Sequence, residues 1–126
     1  MELPKRNRDH SSFLQILHRI TFLMLTDEIK QSIEKSVLCW VATSTEDVPN
    51  ISPKEVFTFF GETHIILANI ASPQTIKNIK KNPQVCISFI DILVQKGFQL
   101  KGYATILSKT HPSYSQMEEQ LLHITQ

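Results

Sequence analysis

The sequence predicts a mostly β protein, a small antiparallel β-barrel with helical decorations. Three observations carry this. Short runs rich in β-branched and aromatic residues recur between residues 37 and 107. Short polar turns join them, which favours antiparallel neighbours, and helix signals are confined to a few capped segments. At 126 residues the chain is long enough for one core.

Taken in order, Phe13, Ile16, Leu17, Ile20 and Met24 recur at spacings of three and four, so residues 11–24 read as an amphipathic helix. This assigns 1–24 to an N-terminal helical extension and 25–126 to the barrel domain. Thr26 is a good N-cap for a second helix, with Asp27 and Glu28 favourably placed against its dipole. Its buried side is Ile29 and Ile33, and it ends near Lys35. At residue 37 the period changes, and 37–43 reads as a buried strand around Cys39 and Trp40. The polar cluster 44–47 is a turn, and 50–60 is the returning strand. Pro53 lies inside that strand, which places it at an edge or a bulge. Residues 61–63 turn the chain again, and 64–69 is a third strand.

Ser72 as N-cap and Pro73 at the first helical position predict a helix over 72–81. Ile76 and Ile79 should face inward, with Lys77, Lys80 and Lys81 outside. Asn82-Pro83 ends it. Two further strands follow, 84–93 and 98–107, joined by a loop around Lys96-Gly97. A last helix begins near Pro112, with Tyr114, Met117, Leu121 and Ile124 on one face.

Composition narrows the function. A net charge of +1 offers no basic stripe for nucleic acid. Residues 13–25 are apolar but interrupted by His18 and Arg19, and too short to span a bilayer, so a cytoplasmic protein without a membrane partner is the default expectation. Cys39 and Cys86 each sit in an apolar run and read as small buried hydrophobes rather than a disulfide framework. The five histidines show no ligand spacing, so no metal site is expected.

The stretch 49–83 is the most informative. A strand leading into a polar, Pro-started helix makes a corner that can bind an anion, because the first turn of a helix presents unpaired N–H groups and partial positive charge. Pro73 has no N–H, which leaves the amides of Gln74 and Thr75 as donors. The hydroxyls of Ser72 and Thr75 can add hydrogen bonds, and Lys54 or Lys77 can supply a cation. Taken alone, Ser72-Pro73-Gln74-Thr75 fits a plain capped surface helix better than a ligand site.

An ordered set of motifs changes that balance. Leu25-Thr26-Asp27-Glu28-Ile29 opens a helix, followed by Cys39-Trp40-Val41-Ala42-Thr43 and Pro49-Asn50-Ile51-Ser52-Pro53-Lys54. Then come Ser72-Pro73-Gln74-Thr75 with Asn78-Ile79, Asn82-Pro83-Gln84-Val85, and Gly97-Phe98-Gln99-Leu100-Lys101-Gly102-Tyr103-Ala104. In this order they resemble the pyridoxamine 5′-phosphate oxidase-like family of FMN-binding split barrels. No single motif is specific; the ordered set is. The resemblance implies an antiparallel split β-barrel that binds FMN in the cleft of a homodimer. It places Ser52, Pro53 and Lys54 against the flavin and ribityl chain, and Ala68 and Asn69 at the isoalloxazine edge. Ser72, Gln74 and Thr75 would hold the phosphate, with Lys77 nearby.

Three departures qualify this. Where many members carry Lys or Arg, this chain has Gln74, so the phosphate loses a charge-assisted bond unless Lys54 or Lys77 compensates. The sequence stops at Gln126, before a barrel strand that members usually have, and before the Arg and His with which the true oxidase grips the vitamin phosphate. Residues 1–23 precede the region of resemblance. The expected function is therefore a flavin-dependent oxidoreductase of unknown small-molecule redox substrate, not a pyridoxamine phosphate oxidase. The alternatives are a non-catalytic flavin or haem carrier or sensor, and a structural dimeric barrel with a degenerate site. No residue stands out as a catalytic acid or base.

Overall fold

The computed structural model describes residues 17–21, 24–68 and 72–124. Seven strands form one antiparallel sheet: β1 (Leu17–Thr21), β2 (Cys39–Thr45), β3 (Val48–Lys54), β4 (Phe57–Phe60), β5 (His64–Ala68), β6 (Gln84–Asp91) and β7 (Lys96–Leu107). Among the described residues three helices accompany them: α1 (Asp27–Lys35), α2 (Pro73–Lys81) and α3 (Tyr114–Ile124). The strand order is β3-β2-β6-β7-β1-β5-β4. The two outermost strands, β3 and β4, are consecutive in the chain and separated by Glu55 and Val56 alone. The sheet therefore curls until its edges meet covalently without pairing, which is the split in the barrel.

Residues 17–21, expected inside a helix, form β1, which lies between β7 and β5 with Ile20 opposite both Ala104 and Ile65. The spacing of three and four that suggested a helix is overridden because both neighbouring strands need a backbone partner at this position. Ile20 is fully buried there. The remainder of that expected helix lies outside the described residues, apart from Met24, which is exposed and carries no regular structure. The returning strand expected over 50–60 is two strands, broken at Glu55-Val56 and lying on opposite edges of the sheet. The first strand also begins and ends two residues later than the sequence suggests, and the β2–β3 turn is the pair Glu46-Asp47, both at positive φ (52° and 63°). That geometry matches the right-handed twist of the strands it joins.

Alternation along the strands divides the apolar side chains between two cores. Cys39, Val41, Ile65, Leu67, Ile87 and Phe89 fill the barrel interior, closed by Ile29 and Ile33 of α1 and by Ile79 of α2. Ile66, Ala68 and Leu107 point the other way, against Tyr114, Met117 and Leu121 of α3. Strand β5 is buried on both faces as a result. Thr26 caps α1 as expected, its hydroxyl accepting the Ile29 amide at 3.2 Å. Among the described residues, no helix is long and apolar enough to cross a membrane.

Candidate functional site

The site is built where α2 lies against β2 and β3. Pro73 opens α2, and the Asn82 amide closes it onto the Asn78 carbonyl at 2.7 Å. The helix buries Thr75, Asn78 and Ile79, whereas Ile76 is only half-buried. Its inward face is thus mainly polar rather than the Ile76–Ile79 pair that periodicity suggests. Thr75 and Asn78 are 1% and 2% exposed. Buried polar groups of this kind need partners, and here the strands supply them.

On β3, Ser52 and Lys54 point into the barrel and Pro53 points out, because side chains alternate along a strand. Ser52 Oγ lies 2.8 Å from Thr75 Oγ1, joining β3 to α2. Asn50 Nδ2 donates to the same Thr75 oxygen at 3.5 Å, a long and weak bond. Asn78 Nδ2 donates to Thr43 Oγ1 at 3.0 Å, and its Oδ1 accepts from Thr45 Oγ1 at 3.0 Å. Gln74 Nε2 donates to the same Asn78 Oδ1 at 2.9 Å. Below this belt, Asn82 Nδ2 donates to the Ser44 carbonyl at 3.1 Å.

Each expected residue can now be placed. Ser52 and Thr75 meet directly, with Lys54 one inward position further along β3. Lys54 is 3% exposed, and burial pushes its ammonium down to about 8, against the opposing pull of Cys39. Pro53 lies opposite Trp40 on the outer face. Ala68 ends β5, with its amide donating to the Val56 carbonyl at 3.0 Å. Asn69 lies outside the described residues. Ser72 is the N-cap of α2, but its side chain makes no cap hydrogen bond. Gln74 is exposed and turned onto Asn78, and Lys77 is exposed on the outer side of α2.

The sequence reading missed Thr43, Thr45, Asn50 and Asn78. A signal was present: Thr75, Asn78 and Asn82 recur at helical spacing and form a polar stripe facing a strand that carries Thr43 and Thr45. Also unanticipated is an open cleft of about 530 Å³ toward the other end of α2. It is lined by Ser44, Asn82, Cys86, Lys101 and Tyr103 among others.

An antiparallel barrel split between its edge strands, with a Pro-started helix docked on its wall by polar contacts, defines a split-barrel protein. The family model described as pyridoxamine 5′-phosphate oxidase matches residues 25–124, and the chain belongs to that family. Strand β1 lies upstream of the matched residues yet occupies the middle of the sheet. No curated protein and no solved structure matches the chain.

The family typically binds flavin, and the donor chemistry of the corner suits an anionic tail. The first turn of α2 holds no acidic residue, and no Ser72 side-chain bond occupies its amides. An anionic group at this corner would meet the Gln74 and Thr75 N–H groups, with Lys77 on the same helix as a cation.

Proposed function

We propose that this protein binds FMN and is a flavin-dependent oxidoreductase acting on a small-molecule redox substrate. The match of the pyridoxamine 5′-phosphate oxidase family over residues 25–124 carries the reading. The α2 corner supports it, because a Pro-started first turn without acidic side chains favours a phosphate.

In this reading Ser72, Gln74 and Thr75 receive the phosphate and Lys77 adds positive charge from outside. Ser52, Pro53 and Lys54 of β3, together with Ala68 and Asn69, form the wall toward the ribityl chain and ring. Bound FMN supplies hydride and electron transfer. The chain's own contribution is to hold it and exclude water from one side. Lys54, with its ammonium lowered to about 8, is the inward-facing group able to hold or release a proton near neutrality. A second copy of the chain belongs to this reading, since Trp40, Ile51 and Ile90 are exposed apolar side chains on β2, β3 and β6. We place the protein in the cytoplasm, and its substrate is one other than pyridoxamine 5′-phosphate.

The test is a visible absorbance spectrum before and after adding FMN, with sedimentation of the same sample. A shifted and structured flavin band on a dimer is the expected result. Unchanged free-flavin absorbance at saturating protein would overturn the reading. Gln74→Lys should tighten FMN, by up to about tenfold if one charge-assisted hydrogen bond is gained. Oxygen uptake with pyridoxamine 5′-phosphate should stay at background.

One observation favours a carrier or sensor without turnover. His64, which burial and the nearby Arg19 charge push below its usual range, engages Thr63 at 3.2 Å and shares the face of β5 that carries Ile66 and Ala68, so this imidazole points away from the barrel interior into which Ser52 and Lys54 are directed. Oxidation of a nicotinamide or deazaflavin donor by the flavin-loaded protein would exclude that second reading.

A further inference from the structure

We propose that Asn78 is the positioning residue of the α2 corner, setting how strongly the protein prefers a phosphorylated flavin over an unphosphorylated one. The inference rests on the FMN reading above.

Asn78 is almost fully buried, and of the residues proposed to meet the phosphate its side-chain amide hydrogen-bonds Gln74. Three hydrogen bonds converge on its amide. Oδ1 accepts from Gln74 Nε2 and Thr45 Oγ1, and Nδ2 donates to Thr43 Oγ1. An amide can make about four such bonds, so its orientation is strongly determined. The two ends of this hub differ in kind. Thr43 and Thr45 belong to β2, inside the sheet, whereas Gln74 stands exposed at the first turn of α2. Asn78 therefore relays the position of the barrel wall to the one side chain of that turn whose charge departs from the usual cationic pattern.

The second tie is independent. Ser52 and Thr75 bond at 2.8 Å and lock the same turn to β3. With both ties in place the Gln74 and Thr75 amides are fixed relative to β2 and β3. Neutral donors bind an anion well only when they are already oriented, because each is weaker than a charged donor and loses more to reorganisation. Gln74 makes this corner depend on pre-organisation where a lysine would rely on charge.

The experiment uses the full chain and compares FMN with riboflavin, which lacks the phosphate, by quenching of flavin fluorescence. Asn78→Ala should weaken FMN about tenfold, the loss of roughly one buried hydrogen bond's worth of orientation, and riboflavin about twofold or less. The double variant with Gln74→Ala should bind FMN no more weakly than Asn78→Ala alone. Equal losses for both flavins, or additive losses in the double variant, would overturn the proposal. Asn78→Asp can keep all three contacts if the Thr43 hydroxyl turns to donate. It should hold the helix while adding negative charge, so FMN weakens further and riboflavin does not. If Asn78→Ala fails to fold, Gln74→Ala at its exposed position carries the comparison, and unchanged FMN-to-riboflavin selectivity there overturns the proposal. Hydrogen exchange of the hydrogen-bonded Ile76 and Asn82 amides of α2 without ligand separates the two readings. If the wild type binds neither flavin, the FMN reading fails, but faster exchange in Asn78→Ala still supports positioning. Identical exchange in the two proteins overturns it.

Discussion

Cys39 and Lys54 are cross-strand partners on β2 and β3, both directed into the barrel and both nearly inaccessible to water. Burial disfavours the charged form of each. It raises the Cys39 thiol to about 12 while Lys54 and the backbone oppose the change, and lowers the Lys54 ammonium to about 8. At neutral pH the thiol is protonated, and the interior carries the lysine charge.

The pH dependence of stability follows. Between about 8 and the ordinary lysine value of 10.5, the unfolded chain binds more protons at residue 54 than the folded one, so stability should rise with pH over that window. Below it the folded state carries the net cost of keeping this ammonium protonated inside the barrel. Cys39 acts with the opposite sign. From its ordinary value of 9.0 toward about 12, only the unfolded thiol ionises, and stability should fall. Lys54→Met should therefore gain most on wild type at pH 7, by about 1–3 kcal/mol in the pH-dependent part once solvent screening is allowed for. That gap should close as pH approaches 10.5. Urea unfolding at pH 7, 8 and 9 measures it; a gap independent of pH would show that Lys54 is not the titrating group.

The Ser52–Thr75 contact predicts a different response. Thr75→Val keeps the shape and removes the hydroxyl, leaving Ser52 buried without that partner. A loss of about 1–2 kcal/mol is expected, against a smaller one for the double variant with Ser52→Ala. Chemical denaturation of the three proteins gives the coupling, and simple additivity would argue that the two hydroxyls do not interact.

Gly97 is the second residue of β7 and lies opposite Ile90. A Cβ built there would lie 2.8 Å from the Phe89 carbonyl oxygen and 3.2 Å from Ile90 Cβ. The first neighbour is backbone, so Gly97→Ala should cost about 1–3 kcal/mol through forced separation of β6 and β7. A thermal midpoint equal to wild type would indicate that the hairpin end yields freely.

Strand β1 can be tested directly. Ile20→Ala empties a fully buried position between β7 and β5 and should destabilise by about 2–5 kcal/mol. The Ile20 amide should exchange as slowly as those of β6. Rapid exchange there, with an unfolding midpoint unmoved by the substitution, would exclude β1 as an integral strand.

What the sequence made legible follows from how local each signal is. Helices α1 and α2 are announced by Thr26, Ser72 and Pro73 at their starts, and β6 and β7 by period-two runs of their own. These signals act within a few residues. The identity of β1 does not, because it depends on backbone partners at 64–68 and 103–107, and its own residues also satisfy helical spacing. The break at Glu55-Val56 was equally hidden. Nothing in 50–60 marks the point where the chain leaves one edge of the sheet for the other. In the candidate site, Thr75 and the start of α2 were readable from capping chemistry, whereas Ser52 entered through the family resemblance alone. The belt around Asn78 was not, since an asparagine in a short helix is most often a solvated residue and only its neighbours on β2 make it otherwise.

The pairing of β1 with β7 also sets an order of events during synthesis. Leu17 is made early and its partner Leu107 late, so β1 leaves the ribosome long before one of its two neighbours exists. Until β7 arrives, β1 can pair only with β5, and the barrel wall stays open along its middle. Such long-range closure makes folding slow for a chain of this size, in the millisecond-to-second range of β-rich domains. It leaves the apolar side chains of β5 exposed on a growing chain, and a chaperone that shields an open sheet would have its substrate there.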